Sequence, residues 1–266
     1  KDMNLGVVGD SFIDKYHIGI TNRISAEVPI PIVKIEKTLS FPGGAANVQA
    51  NIASLGETGL LLGLAKQNYP TKNRLMVGTT QIARWDEKDY SNPFQPEDLQ
   101  AFPVLHALLV ADYGKGAIQK KLIDCIISNV GESGVQVFVD TKQNPVDWLG
   151  CPNVVMFPNR VEYNQFALQY DWFPKVILKQ GEHGISLMQF GQIVLTSPSL
   201  VRHVVSVNGA GDTVIASYAI ASLAGAEEKY CLEFANAAAA VVVGKPYTAT
   251  ATQMEVDSVL MSKIVN

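Results

Sequence analysis

Short runs of unbroken apolar residues, spaced by segments of helix length, constrain this 266-residue chain more than any other feature. "LGVVGD" (5–10), "LHALLVADY" (105–113), "VQVFVD" (135–140), "NVVMF" (153–157) and "KVILKQ" (175–180) are such runs. A strand wetted on one face alternates apolar with polar residues, whereas a strand covered on both faces does not. Helical segments are expected from Gln119 to about Asn129, near Val146, over Thr213–Ala224 and over Glu228–Val243. "PGGAANVQANIASLG" (42–56) carries Ala46, Ala50 and Ala53 near helical spacing, with Gly56 as the stop. The pattern predicts an α/β fold: a central, mostly parallel sheet covered by helices on both faces. "LLLGLA" (60–65) and "GISLMQ" (184–189) read as further strands of it. By contrast, "PIPIVKIEKTLSF" (29–41) and "LMVGTTQIARWD" (75–86) alternate, and predict a smaller second sheet.

Two connections look short, because a crossover between parallel strands needs about a dozen or more residues. "KQNYPTKNR" (66–74) lacks helical periodicity, and "YNQFALQYDWFP" (163–174) barely supports a helix. Either these connections are compact or, as the reading favours, residues are missing from the chain near 63–73 and 163–175.

Composition narrows the function classes. At 47% hydrophobic and 17% charged, the chain can bury the core of one large domain over residues 1–266. A net charge of −4, scattered along the sequence, supplies no basic stripe for nucleic acid and no polybasic membrane patch. No apolar run approaches the ~18 residues of a membrane span. The chain begins with Lys1 and shows no signal pattern, so it reads as a trimmed cytoplasmic protein. Cys125, Cys151 and Cys231, odd in number and far apart, fit reduced thiols. The four histidines lack zinc-site spacing.

"VNGAGDTV" (207–214) places three small residues before an acid and a long apolar run. A glycine-rich turn into a helix offers unpaired N–H groups at the positive end of the helix dipole, which suits an anion. An acid there either caps the helix or accepts a proton beside the charge that the amides hold. "GGAANV" (43–48) likewise opens a helix: its glycines admit a small polar ligand, or its alanines merely pack on the sheet. The Walker-type Gly-x-x-x-x-Gly-Lys-Ser/Thr loop is absent, and Gly209-Ala210-Gly211 lacks the third glycine of a dinucleotide fingerprint.

Together, "GGAANVQANIASLG" and "NGAGDTVIASYAIASLAGA" resemble, in order and separation, the two signatures of the ribokinase, or PfkB, carbohydrate kinase family. "GDSFIDKY", "NRISAEVPIPIVKIE", "VADYGKG", "VDTK", "FPNRVEY" and "FANAAAAVVVGK" are most similar to its heptose-7-phosphate kinase branch. The resemblance implies a ribokinase-like fold whose small sheet, from about 15–41 and 72–88, is a lid over the sugar. It implies an ATP- and Mg²⁺-dependent transfer to a hydroxyl of a sugar phosphate, with D-glycero-D-manno-heptose 7-phosphate as the specific acceptor. Another sugar or nucleoside kinase of the family, or a sugar-binding regulator without catalysis, are the alternatives.

By the same resemblance Asp212 is the general base, and Gly209, Ala210 and Gly211 line the anion hole. Asp14, Gly43, Gly44 and Asn47 hold sugar hydroxyls. Arg74 and Arg84 suit the sugar's phosphate, Lys115 and Lys142 could meet phosphate, and Asp112 faces the cleft or caps a turn. Asn159 and Glu162 organise Mg²⁺ through its waters, and Lys179, Gly181 and Asn236 surround ATP. The family's acid before the turn is replaced by Ser206, which argues against a monovalent cation. A homodimer through the lid is expected. No His-x-Gly-His motif of an adenylyltransferase occurs, so the chain reads as a kinase alone or as part of a longer polypeptide.

Overall fold

Successive strand residues point to opposite faces, and in this chain both sets are apolar. The computed structural model describes residues 3–62, 69–99 and 105–264. In it β1 (Asn4–Gly9), β4 (Thr58–Leu61), β7 (Ala107–Asp112), β8 (Gln136–Thr141), β9 (Val154–Met156) and β10 (Val176–Lys179) pair in parallel. β11 (Ile185–Gln189) and β12 (Gln192–Ser197) close one edge antiparallel. The order is β12-β11-β10-β9-β8-β7-β1-β4.

Leu5, Val7, Leu109 and Phe138 bury one face under α1 (Ala45–Ser54), α5 (Ala210–Leu223), α6 (Glu228–Val243) and α7 (Gln253–Ile264). Val8, Leu108, Val110 and Val139 bury the other under α2 (Lys120–Ser133) and the rings of Trp148, Tyr170 and Phe173. Gly134, at φ 69°, ends α2 in the left-handed conformation, four residues past the expected stop.

The second sheet is formed by β2 (Ser11–Ile24), β3 (Pro31–Gly44), β5 (Thr71–Val77) and β6 (Thr80–Glu87), in the order β3-β2-β5-β6. Register pairs Asp14 with Lys72 and Lys72 with Asp86; it also pairs Tyr16 with Arg74 and Arg74 with Arg84. Because partners across strands share a face, these six side chains project from one side of the sheet. Ile24, Ile30 and Trp85 are exposed.

Three sequence readings change. "LLLGLA" is not a buried strand: β4 stops at Leu61 on the sheet edge with Leu60 exposed, and 63–68 lie outside the described residues. β4 and β5 belong to different sheets, so no parallel crossover joins them. β9 and β10 are parallel neighbours, and where the sequence barely supports a helix two short ones, α3 (Arg160–Gln165) and α4 (Ala167–Tyr170), lie between them. The exposed edge strand β12 and the helix α7 were not anticipated.

Candidate active site

The turn before α5 explains its own composition. Gly209 has φ 79°, and a Cβ there would lie 2.6 Å from Asn47 Nδ2, so a side chain would meet both backbone strain and a clash. Gly209 is the N-cap residue, without a side-chain cap. Asp212 stands in the first turn, yet its carboxylate does not cap the helix. Oδ2 accepts from Asn47 Nδ2 at 2.8 Å and Oδ1 from the Tyr113 hydroxyl at 2.7 Å. In the first turn of α5 the Ala210 N–H reaches the Val207 carbonyl at 3.4 Å and the Thr213 N–H the Gly209 carbonyl at 3.0 Å, which leaves the amides of Gly211 and Asp212 for an anion. Burial, only partly offset by the Asn47 and Tyr113 hydrogen bonds, pushes Asp212 up to about 6.

Asn47 is aimed by α1. Its carbonyl accepts from Asn51 Nδ2 at 2.9 Å, and Asn51 Oδ1 accepts from Thr213 Oγ1 at 2.8 Å, so a buried polar chain fastens α1 to α5. Gly43 and Gly44 serve this junction. A Cβ on Gly43 would strike the Phe12 ring at 2.2 Å, and one on Gly44, at φ 61°, would lie 2.0 Å from the Asp10 carbonyl oxygen. Close packing, not open space for a ligand, requires them. Gly44→Ala is therefore expected to cost about 2–5 kcal/mol of stability, strain plus overpacking, measurable by urea unfolding.

Asp212 opens on a cavity of about 460 Å³, whose wall also carries Asp14, Lys72, Arg74, Lys142 and Asn159. A second cavity of about 560 Å³ lies along α5 and α6 and includes Ala210 and Asn236. The two share Lys179, Gly181, Val207 and Gly211, so they meet at the turn before α5. Such a pair of chambers can hold an acceptor and a donor with the turn between them.

The cavity's charges are mostly paired. Arg74 Nη2 donates to Asp14 Oδ1 at 3.2 Å, Lys142 Nζ to Glu162 Oε1 at 2.8 Å, and Lys179 Nζ bonds Asp140. Arg74 Nε is buried and has no partner among the described residues. Lys72 has no carboxylate partner among them either; its Nζ lies 3.4 Å from the Phe12 ring centroid. Burial pulls it down to about 8, against the attraction of Asp14.

Other expected residues are placed elsewhere or already engaged. Arg84 shares the cavity-facing side of the second sheet but is held by Asp86, at 3.0 and 2.6 Å. Lys115 is bound to Asp89 and does not line the cavity. Asp112 belongs to a separate cavity, where Thr141 Oγ1, the Gly114 N–H and Gln143 Nε2 donate to it, so it organises a turn. Asn236 lines the α5–α6 cavity, but its amide nitrogen is spent on Ser197 and Pro198. Asn159 and Glu162 form the capping box of α3. Sequence reasoning passed over Lys72, Tyr113 and Asp140; Lys72 was recoverable only from its register opposite Asp14.

Among the described residues no group of three or more His, Cys, Asp or Glu could hold a metal ion. Asp140, Asn159 and Glu162 nevertheless supply hard oxygen donors at or beside the cavity. Magnesium, which keeps several waters and takes few protein oxygens, fits such a set.

A profile of the pfkB family carbohydrate kinases matches residues 117–254, more than half of the chain. The chain belongs to the pfkB family of carbohydrate kinases. As such this pfkB kinase is a phosphotransferase. It is 32% identical over 303 residues to the Bifunctional protein HldE of Erwinia tasmaniensis, covering 97% of this chain and 63% of the relative. With HldE of Aliivibrio salmonicida it shares 33% over 296 residues, covering 94% and 62%. The pfkB chain thus spans less than two thirds of these relatives. Since 303 aligned positions exceed 266 residues, at least 37 of them fall opposite gaps in this chain. Arabidopsis thaliana ribokinase complexed with ribose and ATP superposes with a TM-score of 0.77 at 18% identity, covering 98% of this chain and 99% of that one. Escherichia coli phosphofructokinase-2 gives 0.76 at 12%, with the same coverages. The fold of this pfkB kinase is accordingly ribokinase-like, with the four-stranded sheet as its lid. Among the described residues no helix is long and apolar enough to cross a membrane.

Proposed function

We propose that this pfkB kinase transfers the γ-phosphoryl group of ATP to a hydroxyl of a sugar phosphate, and that the acceptor is D-glycero-D-manno-heptose 7-phosphate, giving the 1,7-bisphosphate. One observation carries the choice of an anionic acceptor: Lys72 of the lid faces the Asp212 cavity without a carboxylate partner. A cation with no internal counter-ion is suited to one brought by the substrate. Similarity to the HldE proteins supports the heptose.

In this reading Asp212 takes the proton of the acceptor hydroxyl through the free lone pairs of its carboxylate. Asn47 holds it in place, and the amides of Gly211 and Asp212 face the migrating phosphoryl group. Asp14 and Arg74 bind the sugar, and ATP occupies the chamber along α5 and α6. Asp140, Asn159 and Glu162 would hold Mg²⁺ and its waters. When bound, the ion supplies neutralisation of phosphate charge.

The test is ATP consumption, with Mg²⁺, against paired sugars and sugar phosphates, in the presence and absence of potassium. Heptose 7-phosphate should be turned over fastest, its dephosphorylated form at least about 10-fold more slowly, and potassium should have no effect. Equal turnover of neutral and phosphorylated sugars would refute the anionic acceptor.

A further inference from the structure

Tyr113 follows the end of β7, in a loop held by two buried acids, Asp112 through the Gly114 N–H at 3.0 Å and Asp10 through three others. Asp10 accepts from the N–H groups of Tyr113 at 2.8 Å, Lys115 at 3.1 Å and Ala117 at 3.1 Å. The Tyr113 ring packs edge-on against Phe12, with centroids 5.1 Å apart. Lys72 and Lys142 lie 4.9 and 4.8 Å from its centre. With backbone and ring both fixed, the phenol has one direction, and there it donates to Asp212 Oδ1 at 2.7 Å. Asn47 donates to Oδ2 at 2.8 Å. A carboxylate gripped at both oxygens does not turn about its final bond, yet each oxygen keeps a lone pair.

We infer that Tyr113 is a positioning residue for phosphoryl transfer: its hydroxyl sets the plane of the Asp212 carboxylate and favours its ionised form before the acceptor arrives. This rests on the reading of Asp212 as the base. A neutral donor bonds an ionised acceptor more strongly than a protonated one. The phenol stays protonated throughout, because burial and the neighbouring Asp212 charge hold its pKa well above the usual range. Asp14 from β2, Lys72 and Arg74 from β5, Asp140 from β8, Lys142 just beyond β8 and Lys179 from β10 are the charged groups that line the cavity with Asp212. Among the described residues, only Asn47 and Tyr113 hydrogen-bond its carboxylate.

The experiment follows the Asp212 carboxyl carbon by NMR across pH in the unliganded chain, in wild type and Tyr113→Phe. The midpoint should rise by about one pH unit when the hydroxyl is lost. With ATP, Mg²⁺ and heptose 7-phosphate, the acid limb of kcat/KM should move equally. The variant then loses roughly tenfold at pH 5 and less than about twofold at pH 8. Replacing Tyr113 with 3-fluorotyrosine, a stronger donor of nearly equal size, should move the midpoint down, and this decides the matter if the phenylalanine variant does not fold. An unmoved midpoint overturns the inference, even if activity drops, since packing alone would then explain the loss. Asp212→Asn separates the two readings: wild-type turnover there removes the base, whereas an inactive variant beside an unmoved midpoint removes only the role of Tyr113.

Discussion

Asp212→Asn is expected to lower kcat by about 10²–10⁴-fold, the usual loss on removing a positioned base, while KM for the acceptor changes little. Asparagine fits the same two contacts: its carbonyl can accept from Asn47 and its amide can donate to the Tyr113 oxygen. The fold should therefore survive and, at neutral pH, become firmer. The folded carboxyl titrates near 6, above the 3.8 of an unperturbed aspartate, so the native chain holds this proton more tightly than the unfolded one. The stability that results is complete below about pH 4 and is lost as pH rises through about 6. At pH 7.5 the variant should gain about 1–3 kcal/mol, whereas at pH 4 it should match wild type. Thermal melts at the two pH values test this. A variant that melts lower at pH 7.5 would mean that the carboxylate contributes to the fold instead of straining it. In wild type the same titration predicts an acid limb near pH 6 in kcat/KM.

Lys72→Met should cut kcat/KM for the sugar phosphate by roughly 10- to 150-fold, the equivalent of about 1.5–3 kcal/mol for a hydrogen bond to a charged group. The neutral sugar should be affected by no more than about threefold. Methionine keeps an unbranched apolar chain beside the Phe12 ring, over which the lysine ammonium lies, so the loss reads charge and not packing. Because burial brings Lys72 to about 8, the wild-type enzyme should lose affinity for the phosphorylated acceptor above that pH, and the variant should lack this alkaline limb. Equal losses for both acceptors would place Lys72 outside phosphate recognition.

Much of the fold was legible because burial on both faces leaves a plain record: Leu108 and Leu109, on opposite sides of one strand, are both fully covered. β12 was not, since Gln192, Ile193 and Val194 are exposed on an edge and carry no period. The glycine turns were readable for a physical reason, as Gly44 and Gly209 occupy backbone regions that side chains resist. Which residues face the cavity was harder. Asp14 and Arg74 reach it, but Asp112 turns to another cavity and Lys115 to Asp89. Strand register and loop anchoring decide such matters, and neither leaves a local mark. Tyr113 is the extreme case, because its partner lies 99 positions along the chain.

Asp10 stands where the chain leaves β1 for the first strand of the lid, and its carboxylate holds the loop of Tyr113, Lys115 and Ala117. One residue thus joins the root of the small sheet to the segment that grips Asp212. Removing its carboxylate would leave three loop amides without their acceptor, so the roof and the phenol below share one fastening.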